Sequence, residues 1–358
     1  MLNKEFWSGK SVFLTGHTGF KGSWLTLWLS SIGAKVTGYA LEPDDMKSLY
    51  FDKNFKDFLI NDHEKDIRDY NKLKAAIKKA DPEIIIHMAA QPLVIDSFED
   101  PIKTYETNVM GTVNLLEAVK SLSNCRVVLV VTSDKAYENL ERKEPYIETD
   151  NLNGHDPYSN SKSCAELVVS SFRNSFFNLN SFSNHGVSLA TARAGNVIGA
   201  GDWAKDRLVP DLVRSLLNNK SFILRNGSAI RPWQHVLESL SGYLILCEAM
   251  WSNGNNYSEA WNFGPTTVEP ENVEWVIKNF IKIWGKQIEI IDYKESSKKH
   301  EATLLSLDVS KSLSRLKWHP KWNINKTLQA TVDGYKKSEA SGIYIDTILS
   351  QISEYSDS

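Results

Sequence analysis

Apolar and polar positions alternate between two textures over the first half of the chain. Short β-branched or apolar runs at 11–15, 35–41, 83–88, 126–132 and 187–192 are separated by segments of helical period, among them 22–32 and 107–120. Strands alternating with helices of this length predict βαβ units around a buried parallel sheet. The run at 126–132 is apolar on both faces, as a central strand covered by helices should be. The expected fold is therefore α/β, a Rossmann-like doubly wound parallel sheet. Beyond about residue 196 the alternation loosens into Gly, Pro, Trp and Asn-rich stretches with shorter helical patterns such as 272–284, which predicts a smaller α/β domain. The segment 235–264 again reads as helix then strand. The predicted division is a first domain over 1–193, completed by 235–264, and a discontinuous second domain from 194–234 and 265–358. The polar tail after about residue 339 is expected to pack weakly.

Composition removes several classes of function. The chain has 358 residues, with 41 Lys plus Arg against 44 Asp plus Glu and a formal net charge of -3. That balance lacks the long-range pull on polyanions that drives binding to nucleic acid or to a membrane surface, so neither is an expected partner. The longest stretch without a formal charge, 174–192, is filled with Asn and Ser and is not a membrane span. Lys4, Glu5 and Lys10 stand where a secretory leader needs an apolar run. Cys125, Cys164 and Cys247 are few and far apart, so neither a disulfide framework nor a zinc site is indicated. No histidine set has metal-ligand spacing, and no metal is expected. The expected location is a reducing cytoplasm.

Candidate chemistry begins directly after the first predicted strand. Gly16, Gly19 and Gly22 sit in GHTGFKG and open a helix within one βαβ unit. Gly16 allows the tight turn, Gly19 lets the backbone approach a pyrophosphate, and Gly22 permits close helix-to-strand packing. This spacing suits the short-chain dehydrogenase/reductase branch of dinucleotide folds. The second strand ends in Tyr39-Ala40-Leu41 rather than in the usual ribose-binding acid, but Glu42 lies close enough to substitute and would repel a 2′-phosphate, which favours NAD over NADP. His17 adds bulk and possible charge to the loop, so cofactor affinity is expected to be modest.

A second cluster lies near the middle of the chain. Tyr158 and Lys162 share one helix face behind the N-terminal pair Asp156-Pro157. A lysine cation favours phenolate, and moving a tyrosine from about 10 to about 7 takes about 4 kcal/mol. The spacing alone is weak and also occurs at Tyr70 and Lys74, which read as a solvated helix face. Its weight comes from the strand before it, which ends in Thr132-Ser133-Asp134-Lys135. A dehydrogenase or epimerase needs only the serine. The adjacent acid and amine suggest a second step: once C4 of a hexose is a ketone, the C5 proton is acidified, and a base at C5 with an acid at O6 can expel water.

The stretches TGHTGFKGSW (15–24), TSDKAYEN (132–139), GHDPYSNSK (154–162), ARAGNVIG (192–199), GDW (201–203) and RPWQHV (231–236) resemble the CDP-glucose 4,6-dehydratases, nucleotide-sugar enzymes of the extended short-chain dehydrogenase/reductase family. The likeness runs from about residue 5 to about 335. Ser-Asp-Lys, where dTDP-glucose relatives carry Thr-Asp-Glu, is its most discriminating part, together with the GDW and RPW segments. Ala136 departs from the pattern, where cysteine is expected. The resemblance implies NAD held by Gly16, His17, Gly19, Phe20 and Gly22, with Asp66 and Ile67 at adenine and Ala89, Ala90 and Gln91 along the nicotinamide half. It implies Ser133 and Tyr158 at the sugar O4, Lys162 on the cofactor ribose and tuning Tyr158, Asp134 as acid toward O6, and Lys135 near C5. Asn196, Arg207 and Arg231 would hold the nucleotide diphosphate, with Trp203, Trp233 and His235 nearby. The implied reaction is conversion of CDP-glucose to CDP-4-dehydro-6-deoxyglucose. Dimer helices over 102–120 and 158–176 are implied as well, in a homodimer or homotetramer. Three rivals remain: a UDP-N-acetylglucosamine 4,6-dehydratase, a nucleotide-sugar 4-epimerase with no use for Asp134 and Lys135, and a non-catalytic NAD-sensing protein.

Overall fold

Seven short strands form one parallel sheet: β1 (Ser11–Thr15), β2 (Lys35–Ala40), β3 (Asn61–Glu64), β4 (Ile84–His87), β5 (Val127–Val131), β6 (Ser188–Ala194) and β7 (Ala260–Phe263). Their spatial order is β3-β2-β1-β4-β5-β6-β7, with every neighbouring pair parallel. The computed structural model describes residues 2–266, 271–292 and 304–358. The strand order reverses direction between β1 and β4, which opens a crevice at the carboxyl edge of the sheet. β7 lies beside β6 at the edge of the sheet.

The pleat divides the core. Val12, Leu14, Ile84, Ile86, Val127, Leu129 and Val131 enter one cluster, while Phe13, Ile85, Val128 and Val130 enter another on the opposite face. The second cluster is closed by helices α2 (Tyr70–Ala80), α3 (Gly111–Val119) and α4 (Pro157–Ser175). The first takes in α1 (Phe20–Ser31), then α5 (Leu208–Asn218), α6 (Val236–Ser252), α7 (Val273–Trp284), α8 (Ile324–Ser341) and α9 (Ile345–Asp357). The smaller layer also holds two two-stranded parallel pairs, Phe222–Leu224 with Ile290–Asp292 and Val197–Ile198 with Gln234–His235. Residues 267–270 and 293–303 of the expected second domain lie outside the described residues.

The C-terminal tail corrects the expectation from its polar composition. It forms α9, whose Ile345, Ile348, Ile352 and Tyr355 are buried on one stripe. Tyr355 packs edge-on against Trp28 of α1, with ring centres 5.7 Å apart, and donates to the buried Glu238 at 2.6 Å. Serines and acids between those positions dilute the apolar signal without interrupting its period.

Candidate active site

The glycine loop is shaped by close approach. Gly16 has φ +77°, and a Cβ there would lie 2.7 Å from the Ala89 nitrogen; a Cβ on Gly22 would lie 2.0 Å from the Gly16 carbonyl. Gly19 differs, because a Cβ would meet nothing nearer than the Gly16 oxygen at 3.5 Å. The open side of the turn is therefore at Gly19, where α1 begins with no side-chain cap and leaves N–H groups of its first turn for a ligand. This cradle fits a dinucleotide pyrophosphate. Phe20 reaches from the same turn toward Gly199, at 3.2 Å from where a Cβ would stand. The His17 ring is fully buried over Gly38 and bonded to Asp62 at 2.9 Å, so its bulk is absorbed beneath the turn. Burial pushes the Asp62 carboxyl up, but hydrogen bonds from His17 and Tyr50 outweigh it and hold the group down to about 2.

Neutral side chains support the far wall of the crevice. Thr15 accepts from the backbone N–H groups of Met88 and Ala89 and pairs with Nδ1 of His87 at 2.7 Å, whose Nε2 meets Thr112 at 3.2 Å. Thr112 in turn donates to the Asn108 carbonyl. Burial drives His87 down to about 3, so it is neutral. Gln91 is saturated by Leu93, Thr104 and Asn108, and it shapes the loop while Ala89 and Ala90 line it. Asn108 also donates to Ser161 on α4, joining this wall to the helix that carries Tyr158 and Lys162. Asp66 is held by Arg68, with Tyr39 donating to its carbonyl at 3.1 Å, and Ile67 packs under Gly111.

Charge gathers at the end of β5. The Ser133 hydroxyl donates to Asp134 at 3.0 Å and caps the following turn through the Lys135 N–H. Asp134 is only 3% exposed, and its Oδ2 has no hydrogen-bond partner among the described residues. A Cβ on Gly195 would come within 2.9 Å of that oxygen. Burial raises the Asp134 carboxyl above its ordinary range, against the opposing pull of Lys135, Ser133 and Arg231. Tyr158 enters at the start of α4, where Asp156 caps the helix. Burial pushes its phenol up to about 12, with Ser133 lowering, Asp134 raising and Arg207 lowering it. Arg207 is thus a cation close enough to the phenol to favour its ionised form. Lys162 is held down to about 8 by burial, with Glu166 opposing.

The remaining residues divide. Arg207 pairs with Asp202 at 2.9 Å and acts on Tyr158, and Arg231 is buried beside Asp134, so both arginines stand at the candidate site. The Asn196 carbonyl accepts from Gln234 at 3.0 Å. Trp203 is buried against Tyr335, with Lys47 over its ring at 4.4 Å, and Trp233 is also buried. His235 stands apart from the cleft. It is sealed between Trp24 and Trp322 and caps α6, and burial lowers it to about 3. Tyr70 and Lys74 form only a surface pair, the cation 5.3 Å from the ring.

One residue was missed. Lys21, inside the glycine motif, is lowered to about 8 by burial and then by Lys162 and Arg207, while Asp134 raises it. Its Nζ reaches the Tyr243 hydroxyl at 3.4 Å. A lone cation in the first turn of an otherwise buried apolar helix was the available signal.

The family described as GDP-mannose 4,6 dehydratase matches residues 13–331. The chain is 52% identical over 336 residues to CDP-glucose 4,6-dehydratase of Salmonella typhimurium, covering 94% of this chain and 93% of that one. Its fold is similar to that of an epimerase from Methanothermobacter thermautotrophicus, with TM-score 0.80, 22% identity, and 94% and 95% of the two chains covered. It is likewise similar to dTDP-glucose 4,6-dehydratase from Bacillus anthracis in complex with NAD, with TM-score 0.73, 23% identity, and 92% and 97% covered.

Proposed function

The chain belongs to the GDP-mannose 4,6-dehydratase family, and from that premise we propose that it is an NAD-dependent hydro-lyase converting CDP-D-glucose to CDP-4-dehydro-6-deoxy-D-glucose and water. The observation that carries this reading is Asp134, a buried carboxyl with a raised proton affinity and one free oxygen beside Ser133 and Tyr158. Such a group is suited to donating a proton to a leaving hydroxyl, a task an epimerase does not have.

Residues 194–234 and 265–358 form the nucleotide-sugar side, and 1–193 with 235–264 the NAD side. NAD, when bound, supplies the acceptor for the C4 hydride and its donor to C6. Gly16, Gly19 and Gly22 admit the pyrophosphate, and Lys162 holds the ribose. Tyr158 takes the proton from O4, with Ser133 orienting that oxygen. Burial raises the phenol, so positive charge at the site favours its role as a base. Lys21, Lys162 and Arg207 already converge there. A base at C5, the place proposed for Lys135, takes the C5 proton as Asp134 protonates O6 and water leaves, and a proton returns to C5 as the hydride reaches C6. Arg207, Arg231 and Asn196 hold the diphosphate.

The helices over residues 101–119 and α4 carry Ile102, 71% exposed, with Met110, Leu167 and Phe176 also exposed. This apolar surface supports a homodimer, which sedimentation of the purified chain will check. No described helix is long and apolar enough to cross a membrane, and the three cysteines are unpaired. Both agree with a cytoplasmic enzyme. The function is tested by incubating the protein separately with CDP-, UDP-, GDP- and dTDP-glucose and with UDP-N-acetylglucosamine, and weighing the products. Loss of one water from CDP-glucose alone is expected. Loss only from another donor overturns the substrate, and no loss with any donor overturns the reaction.

A further inference from the structure

Four hydrogen bonds converge on the Glu166 carboxylate behind the catalytic groups. Thr132 donates to Oε1 at 2.5 Å and Thr191 to Oε2 at 2.7 Å, while Arg193 donates through Nε and a terminal nitrogen, both at 2.8 Å. Arg193 is itself fixed by Tyr137 at 2.7 Å and by the Glu148 carbonyl. Glu166 and Arg193 are only 4% and 3% exposed. A buried ion pair of this kind contributes little stability relative to apolar side chains of the same size, so its presence calls for another account.

Its position supplies one. Glu166 lies one turn beyond Lys162 on α4, on the same face, and Lys162 is 7% exposed. The titratable groups near Lys162 come from three elements: Lys21 from the start of α1 and His87 from the end of β4, both of which feel the Lys162 charge, and Glu166 from α4 itself, which acts on Lys162, with Arg193 of β6 behind it. Lys21 is a like charge and His87 is neutral, so Glu166 is the anion in this set. Without it, burial and Lys21 would both favour losing the lysine's proton. We propose that Glu166 is a positioning residue that keeps Lys162 a cation in its desolvated site, and that Arg193 and the two threonines lock the carboxylate at the distance this requires. Because Thr132 directly precedes Ser133, the same lock fixes the end of β5. The value of about 8 for Lys162, with Glu166 acting upward, agrees with this geometry.

The test follows the pH dependence of Lys162 acylation by trace acetic anhydride, read by peptide mass spectrometry on the full chain. Glu166→Gln should lower the labelling midpoint by about one unit or more, because the anion is lost and Arg193 is left uncompensated. Glu166→Asp, which keeps the charge, should stay within a few tenths of a unit of the wild type. If Glu166→Gln does not fold, the neutral pair Glu166→Gln with Arg193→Met decides, with a smaller shift in the same direction. A midpoint unchanged in whichever variant folds overturns the proposal, even if the melting temperature falls, since loss of stability alone would mean a purely structural pair. The consequence for catalysis rests on the function proposed above, but the labelling needs no substrate. Shifted midpoints in a protein that leaves CDP-glucose intact would uphold the electrostatic role and overturn the reaction.

Discussion

The two ends of the crevice are built from different materials. Between β1 and β4 the supporting polar groups, Thr15, His87, Thr112, Asn108 and Gln91, are neutral and bonded to one another. At the end of β5 they are charged and incompletely paired: Asp134 keeps a free oxygen, and Lys21, Lys162 and Arg207 repel each other. A neutral, saturated wall gives a fixed shape and asks little of the cofactor beyond fitting it. A crowded set of charges is costly in the folded protein, is answered in part by Asp202 and Glu166, and leaves room for the complementary groups that substrate and cofactor bring. Shape is thus concentrated at one end and reactivity at the other.

Substitutions can break this contrast. Asp134→Asn has the largest expected effect, a fall of about 10²- to 10⁴-fold in turnover of CDP-glucose, measured by product formation. Its stability should move the other way. A carboxyl whose folded value lies above its unfolded one holds more protons in the native state, so the stability it contributes is present at low pH and lost as pH rises through the folded value. Asparagine escapes that loss, and denaturant melts should show the variant gaining on the wild type toward neutral pH. At the other end, Gly22→Ala should cost about 3 kcal/mol in urea unfolding, because its methyl would strike the Gly16 carbonyl. Asn108→Ala should cost about 2 kcal/mol and weaken NAD binding in calorimetry, since it strands the Gln91 N–H and the link to Ser161. Tyr355→Phe, outside both ends, should cost about 1 kcal/mol and leave turnover unchanged. A catalytic-end variant that lost stability while keeping its rate would dissolve the distinction.

Much of the first end was legible in the chain because its signals are local. The glycines announce their turn in consecutive positions, and the apolar runs announce a parallel sheet. The second end was legible only where chemistry sits on adjacent residues, as in Ser133-Asp134-Lys135, or one helical turn apart, as in Tyr158 and Lys162. Glu166 with Arg193 joins a helix to a strand 27 positions away, and no local pattern marks such a pair. His235 misled because it neighbours Arg231 in sequence, yet two residues of strand and the start of α6 turn its ring into the aromatic core. The α9 stripe was hidden by composition, which averages over the period that carries the information.

In the proposed reaction the oxidation at C4 and the elimination at C5 and C6 occur in one site with one returning hydride. It is tested most directly with CDP-glucose deuterated at C4, followed by NMR of the product. Deuterium is expected at C6 of a CDP-4-dehydro-6-deoxy sugar. Deuterium found at C4 of an intact hexose, or no water lost at all, would contradict it.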